Sequence, residues 1–72
     1  MKNNPNNLKI GDLIFVEQAW EDETGYYHDE MAKITKIDED GELRLDWLAS
    51  KEVKEFLAGS SDYYAKDFKK ED

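Results

Sequence analysis

The chain has no cysteine, one histidine and one proline in its 72 residues. Each shortage excludes something. Without cysteine there is no disulfide and no thiolate metal site, and a lone His28 makes a structural zinc centre very poor chemistry. The longest apolar run, Leu13 to Val16, is far short of a bilayer crossing. The polar start, Met1 to Asn7, lacks the apolar stretch of a signal peptide. Together with the absence of cysteine, this suits a cytoplasmic chain. Cations are also scarce. Ten basic side chains face eighteen acidic ones, a net charge of -8. Binding to nucleic acid or to an anionic membrane requires cations, so neither is expected.

The acid is unevenly placed. Residues 1–50 carry five basic and twelve acidic side chains, and residues 51–72 five and six. The charge therefore belongs to the body of the chain and not to an acidic tail. A chain this short has room for one domain and one small core. Residues 1–7, with Asn-Asn-Pro-Asn-Asn, are expected as a flexible arm, and residues 8–70 as the domain.

Three apolar runs set the architecture. Leu13 to Trp20 is rich in β-branched and aromatic residues and becomes polar toward its end. Met31 to Ile37 places Ala32 and Ile34 on one face. Glu42 to Leu48 alternates, with Leu43, Leu45 and Trp47 opposite Arg44 and Asp46. Asp38-Glu39-Asp40-Gly41 joins the last two as a hairpin turn, Asp-Gly supplying positive φ. Glu21 to Gly25 forms the earlier loop, and Tyr26-Tyr27 can restart pairing. The period then lengthens. Ser50 is an N-cap, and Val53, Phe56 and Leu57 share a helical face. Gly59 stops that helix. Such a short helix must dock on the sheet to exist. Tyr63 to Phe68 reads as a closing strand that covers an open edge. Its other reading is a helical turn capped by Ser61 or Asp62. The sum is an α+β domain: a curved antiparallel sheet of four to five strands with one short helix near residues 50–58.

The stretch from residue 9 to 48 resembles the SH3-like small barrels, and among them the Tudor type. The likeness rests on Gly11-Asp12 before the strand Leu13-Ile14-Phe15-Val16, on Gly25-Tyr26-Tyr27, on Ala32-Lys33-Ile34, and on the acidic turn leading to Trp47. It implies a small barrel and a reader of cationic or methylated peptides. Two features depart from the type. The Asp-Tyr-Gly-Asn segment common after the third Tudor strand is missing, and a helix stands where a further strand would follow. Small acidic chains of this kind are common in phages and mobile elements.

Catalysis finds little support. There is no Gly-x-Ser-x-Gly elbow, and His28 beside Asp29 lacks a nucleophile, so His28 reads as a surface residue. The Asp38–Glu42 stretch lacks the alternating oxygen ligands and closing glutamate of a calcium loop. Neither cofactor nor metal is expected. Aromatics and acid remain. Trp47 and one tyrosine of each pair are needed in the core. Trp20 ends its strand beside Glu21, Asp22 and Glu23, so it reads as a part-exposed interface anchor. Tyr26, Tyr27, Asp29 and Glu30 follow it, and Asp38, Glu39 and Asp40 are placed on a neighbouring tip. Together these eleven residues form the candidate partner-binding set. The sequence thus predicts a non-catalytic module that binds the basic surface of another protein. In its sharper form it is a phage or mobile-element inhibitor imitating nucleic acid on a host enzyme. A Tudor-like reader is the alternative, and an oligomerising structural subunit a third.

Overall fold

The structure, a computed structural model, describes residues 3–59 and 62–71. Ser61, one of the two expected caps, lies outside that range, as do Met1 and Lys2 of the expected arm.

Three antiparallel strands form an open sheet in the order β1-β2-β3. β1 is Leu13–Glu21, β2 is Tyr27–Ile37 and β3 is Leu43–Trp47. One helix, α1, spans Lys51–Leu57, and a 3-10 helix spans Ala65–Asp67. The alternation expected of β3 holds, with Leu43 and Trp47 buried and Arg44 and Asp46 exposed. Ile14 and Ile34 are wholly enclosed at the centre of the sheet, and Leu8, Val16, Ala32, Leu57 and Ala65 close around them. Burying each isoleucine stabilises the fold by about 1.5–3 kcal/mol relative to leaving it in water.

β2 begins four residues earlier than Met31, because Tyr27 and His28 pair with Glu21 and Trp20. The result is a long β1–β2 hairpin. Its ladder is broken between Val16 and Trp20, where three residues of β1 face one of β2. Gln18 takes the left-handed conformation there, φ 52, and its N–H donates to Asp29 Oδ1 at 2.8 Å. A second irregularity lies between Ile34 and Lys36 of β2. Bulges of this kind bend and twist a strand.

The closing strand is replaced by something shorter. Tyr64 makes one isolated bridge to Glu42, and the chain then turns into the 3-10 helix. The reason is packing. Ala65 fits into the core with no exposure, its N–H donating to the Gly41 carbonyl, while Tyr63 stands edge-on to Trp47 at 5.5 Å. A continued strand would carry Phe68 away from Tyr63, to which it is packed at 6.3 Å. The open edges are still engaged locally: Leu43 N–H donates to Tyr63 O, and Glu71 N–H to Leu13 O.

Residues 3–7 lie along the molecule. Asn3 donates to Glu39 O and Asn6 to Phe68 O, while Asn4 both donates to and accepts from the Leu8 backbone. Gly41 is buried under Asn3 with φ 85, and a side chain there would run into the Asn3 backbone.

Candidate functional site

The long hairpin carries its inner face past the core. Val16, Ala32 and Ile34 are buried on that face, and Trp20, His28 and Glu30 continue it toward the tip. Trp20 and His28 are direct cross-strand partners. Their rings stack with centroids 4.3 Å apart and planes 14° apart. Trp20 Nε1–H donates to Glu30 Oε2 at 2.8 Å, which satisfies the one polar group of the indole. Tyr26 meets His28 edge-on at 5.2 Å. His28, expected as a plain surface residue, thus sits between two aromatics.

Asp22 organises the tip. Its carboxylate accepts from the Thr24 hydroxyl, from the Thr24 and Tyr26 N–H groups, and from His28. His28 Nε2 lies 2.8 Å from Asp22 Oδ2. An ionised carboxylate only accepts, so this nitrogen carries the proton. The Thr24 hydroxyl contributes most, then His28 and the backbone donors, and together they hold the Asp22 carboxyl well below the usual range. Gly25 closes the turn at φ 86, with its N–H on Asp22 O.

α1 supplies the other wall. Ser50 caps it through a long 3.4 Å bond from Val53 N–H, as its position predicts. Leu57 docks in the core, yet Phe56, expected beside it, is 66% exposed. Phe56 turns instead toward Trp20, with centroids 6.3 Å apart and planes at 69°. Between hairpin and helix lies a cleft of about 360 Å³, at the small end of ligand-sized sites. Trp20, Val53 and Phe56 form its apolar part. Glu21, Asp22, Glu23 and Glu52 stand around it. Among the described residues no cation pairs with Glu21, Glu23 or Glu52.

The eleven candidate residues therefore divide. Trp20, Glu21, Asp22 and Glu23 line the cleft. Glu30 and Tyr26 act one step behind, on Trp20 and His28. Asp29 is spent on the Gln18 bulge. Tyr26 and Tyr27 are 67% and 51% exposed, so neither of that pair serves the core. Asp38, Glu39 and Asp40 are not on a neighbouring tip. They lie at the far end of β2, whose eleven residues separate the tips by roughly 30 Å. Exposed Lys33, Lys36 and Arg44 intervene, and Lys36 approaches Asp38 at 3.6 Å.

Glu52, Val53 and Phe56 were not legible as site residues, since their spacing marks a docking helix and nothing places it beside Trp20. His28 had one signal: it and Trp20 flank a loop at positions that a hairpin brings opposite one another. Among the described residues no three His, Asp or Glu side chains are grouped to hold a metal ion, and no helix is long and apolar enough to cross a membrane. Comparison with protein-family models, with curated proteins and with solved structures finds no match to this chain.

Proposed function

We propose that this protein is a non-catalytic binding module that engages a basic surface of another protein through the cleft between the β1–β2 hairpin and α1. One observation carries the reading. An apolar floor of Trp20, Val53 and Phe56 is bordered by Glu21, Glu23 and Glu52, which pair with no cation among the described residues. An exposed aromatic cluster stabilises a complex by leaving water, and the charged rim sets which partner is accepted. In its sharpest form the module is a phage or mobile-element inhibitor that occupies the nucleic-acid-binding surface of a host enzyme. The accompanying proposal, an SH3-like barrel relative, rests on the sequence resemblance over residues 9–48.

The test is a lysine triple at Glu21, Glu23 and Glu52. Asp22 is left intact because the turn depends on it. Binding to a panel of nucleases and polymerases is measured in competition with duplex oligonucleotide. Wild type is expected to bind at least one of them, to be displaced by the duplex and to weaken as salt rises. The triple variant is expected to lose at least tenfold in affinity. Equal binding by both proteins would remove the reading. A second reading, a Tudor-like reader of a cationic or methylated peptide, is favoured by the near-perpendicular meeting of Trp20 and Phe56, which offers a cation two aromatic walls.

A further inference from the structure

Which cation suits this cleft follows from its walls. The Trp20 ring is pinned on one side by His28 at 4.3 Å and at its N–H by Glu30 at 2.8 Å. His28 is in turn held by Asp22. This wall is set before any ligand arrives, so little ordering cost remains for binding. Phe56 supplies a second wall at 69° to it. Among the described residues there is no third aromatic wall; Val53 and carboxylates complete the lining.

Three cations can be compared on that geometry. A trimethylammonium group is held by aromatic faces on several sides, and it has no N–H to offer a carboxylate. A lysine ammonium donates three hydrogen bonds, but it is a compact, strongly hydrated point with no flat face. A guanidinium has what the cleft asks for. Its face stacks on an indole, and its five N–H donors lie in the plane, pointing outward to a ring of acceptors. Glu21, Glu23 and Glu52 are such acceptors, unpaired among the described residues. Val53 offers an apolar surface for the methylene stem.

We propose that the cleft is an arginine pocket: it takes an arginine side chain from a basic segment of a partner protein in preference to lysine or methyl-lysine. This rests on the binding-module reading above and names the group that the module recognises. The guanidinium lies between Trp20 and Phe56, with its edge toward the glutamates and its stem along Val53. The negative charge of the whole chain, -8, favours a segment whose other residues are also basic.

The experiment titrates the full chain by calorimetry with peptides that differ only at a central arginine, lysine or trimethyl-lysine, in a lysine-containing frame. The arginine peptide is expected to bind about tenfold more tightly than the other two. Phe56→Ala is expected to erase most of that preference without moving the unfolding midpoint, because the side chain is outside the core. Equal affinity for arginine and lysine peptides, with binding still lost in the glutamate triple variant, overturns the arginine pocket and leaves the binding module standing. Tightest binding of trimethyl-lysine overturns it in favour of the reader. An arginine preference that survives intact in Phe56→Ala overturns the assigned place. Binding of none of the peptides at low salt also overturns the pocket, whereas the module reading falls only on the enzyme panel.

Discussion

Asp22 is the residue on which the tip depends. It accepts four hydrogen bonds, and its acidity follows from them. The folded-state pKa lies below the unfolded one, so the unfolded chain binds more protons as the medium becomes acidic. Stability from this group is therefore complete above the ordinary carboxylate pKa of about 3.9 and is lost as pH falls from there toward the folded-state value. Asp22→Asn keeps an oxygen for the Thr24 and Tyr26 donors but cannot ionise. Its unfolding midpoint is expected to fall less steeply than that of wild type between about pH 5 and pH 2. Denaturant melts across that range check this, and parallel slopes would show that Asp22 is not stabilising through its charge. The same substitution weakens the hold on His28, and so the backing of Trp20. A separate change in tryptophan fluorescence at neutral pH is expected to report that loss.

At the scale of elements, adjacent residues of α1 have opposite work. Leu57 is 3% exposed and fixes the helix to the sheet, while Phe56 is 66% exposed and faces Trp20. Leu57→Ala is expected to cost about 2–5 kcal/mol in unfolding free energy, and Phe56→Ala well under that. Chemical denaturation separates them, and a comparable loss from both would place Phe56 in the core after all. From sequence the two were indistinguishable, because Val53, Phe56 and Leu57 satisfy one helical stripe together. A seven-residue helix has too narrow a contact to bury the whole stripe. Other elements were legible for local reasons. Asp40-Gly41 requires a turn, and Leu43, Leu45 and Trp47 alternate too cleanly for anything but a strand. The early start of β2 was hidden because His28-Asp29-Glu30 looks like solvated loop. Their pairing depends on Trp20, Gln18 and Asp22, which only the folded hairpin brings near. The turn at Ala65 was hidden for a related reason: Tyr64, Lys66 and Phe68 share a face as in a strand, but Tyr63 packs on Trp47 and Phe68 on Tyr63 by way of that turn.

For the whole molecule the decisive matter is where the negative charge lies. The sequence showed acid concentrated in loops, and Trp20 beside one of them. It did not show that the loops occupy opposite ends of a molecule 40 Å long. A nucleic-acid imitation built as one continuous acidic row is poorly served by that arrangement, since Lys33, Lys36 and Arg44 lie between the clusters. A local site at one end is well served. The two ideas separate under matched charge reversal. One variant carries lysine at Glu21, Glu23 and Glu52, and the other at Asp38, Glu39 and Asp40. Each exchanges three carboxylates for three ammonium groups, so both shift the net charge of -8 equally. Long-range steering responds to total charge, so association with a basic partner is expected to slow in both. Dissociation responds to contacts at the docked surface, so only the cleft variant is expected to dissociate faster, by about tenfold or more. Surface plasmon resonance resolves the two rates. Faster dissociation in the far-end variant as well would mean that both ends touch the partner, and the extended acidic row would replace the single cleft as the binding surface.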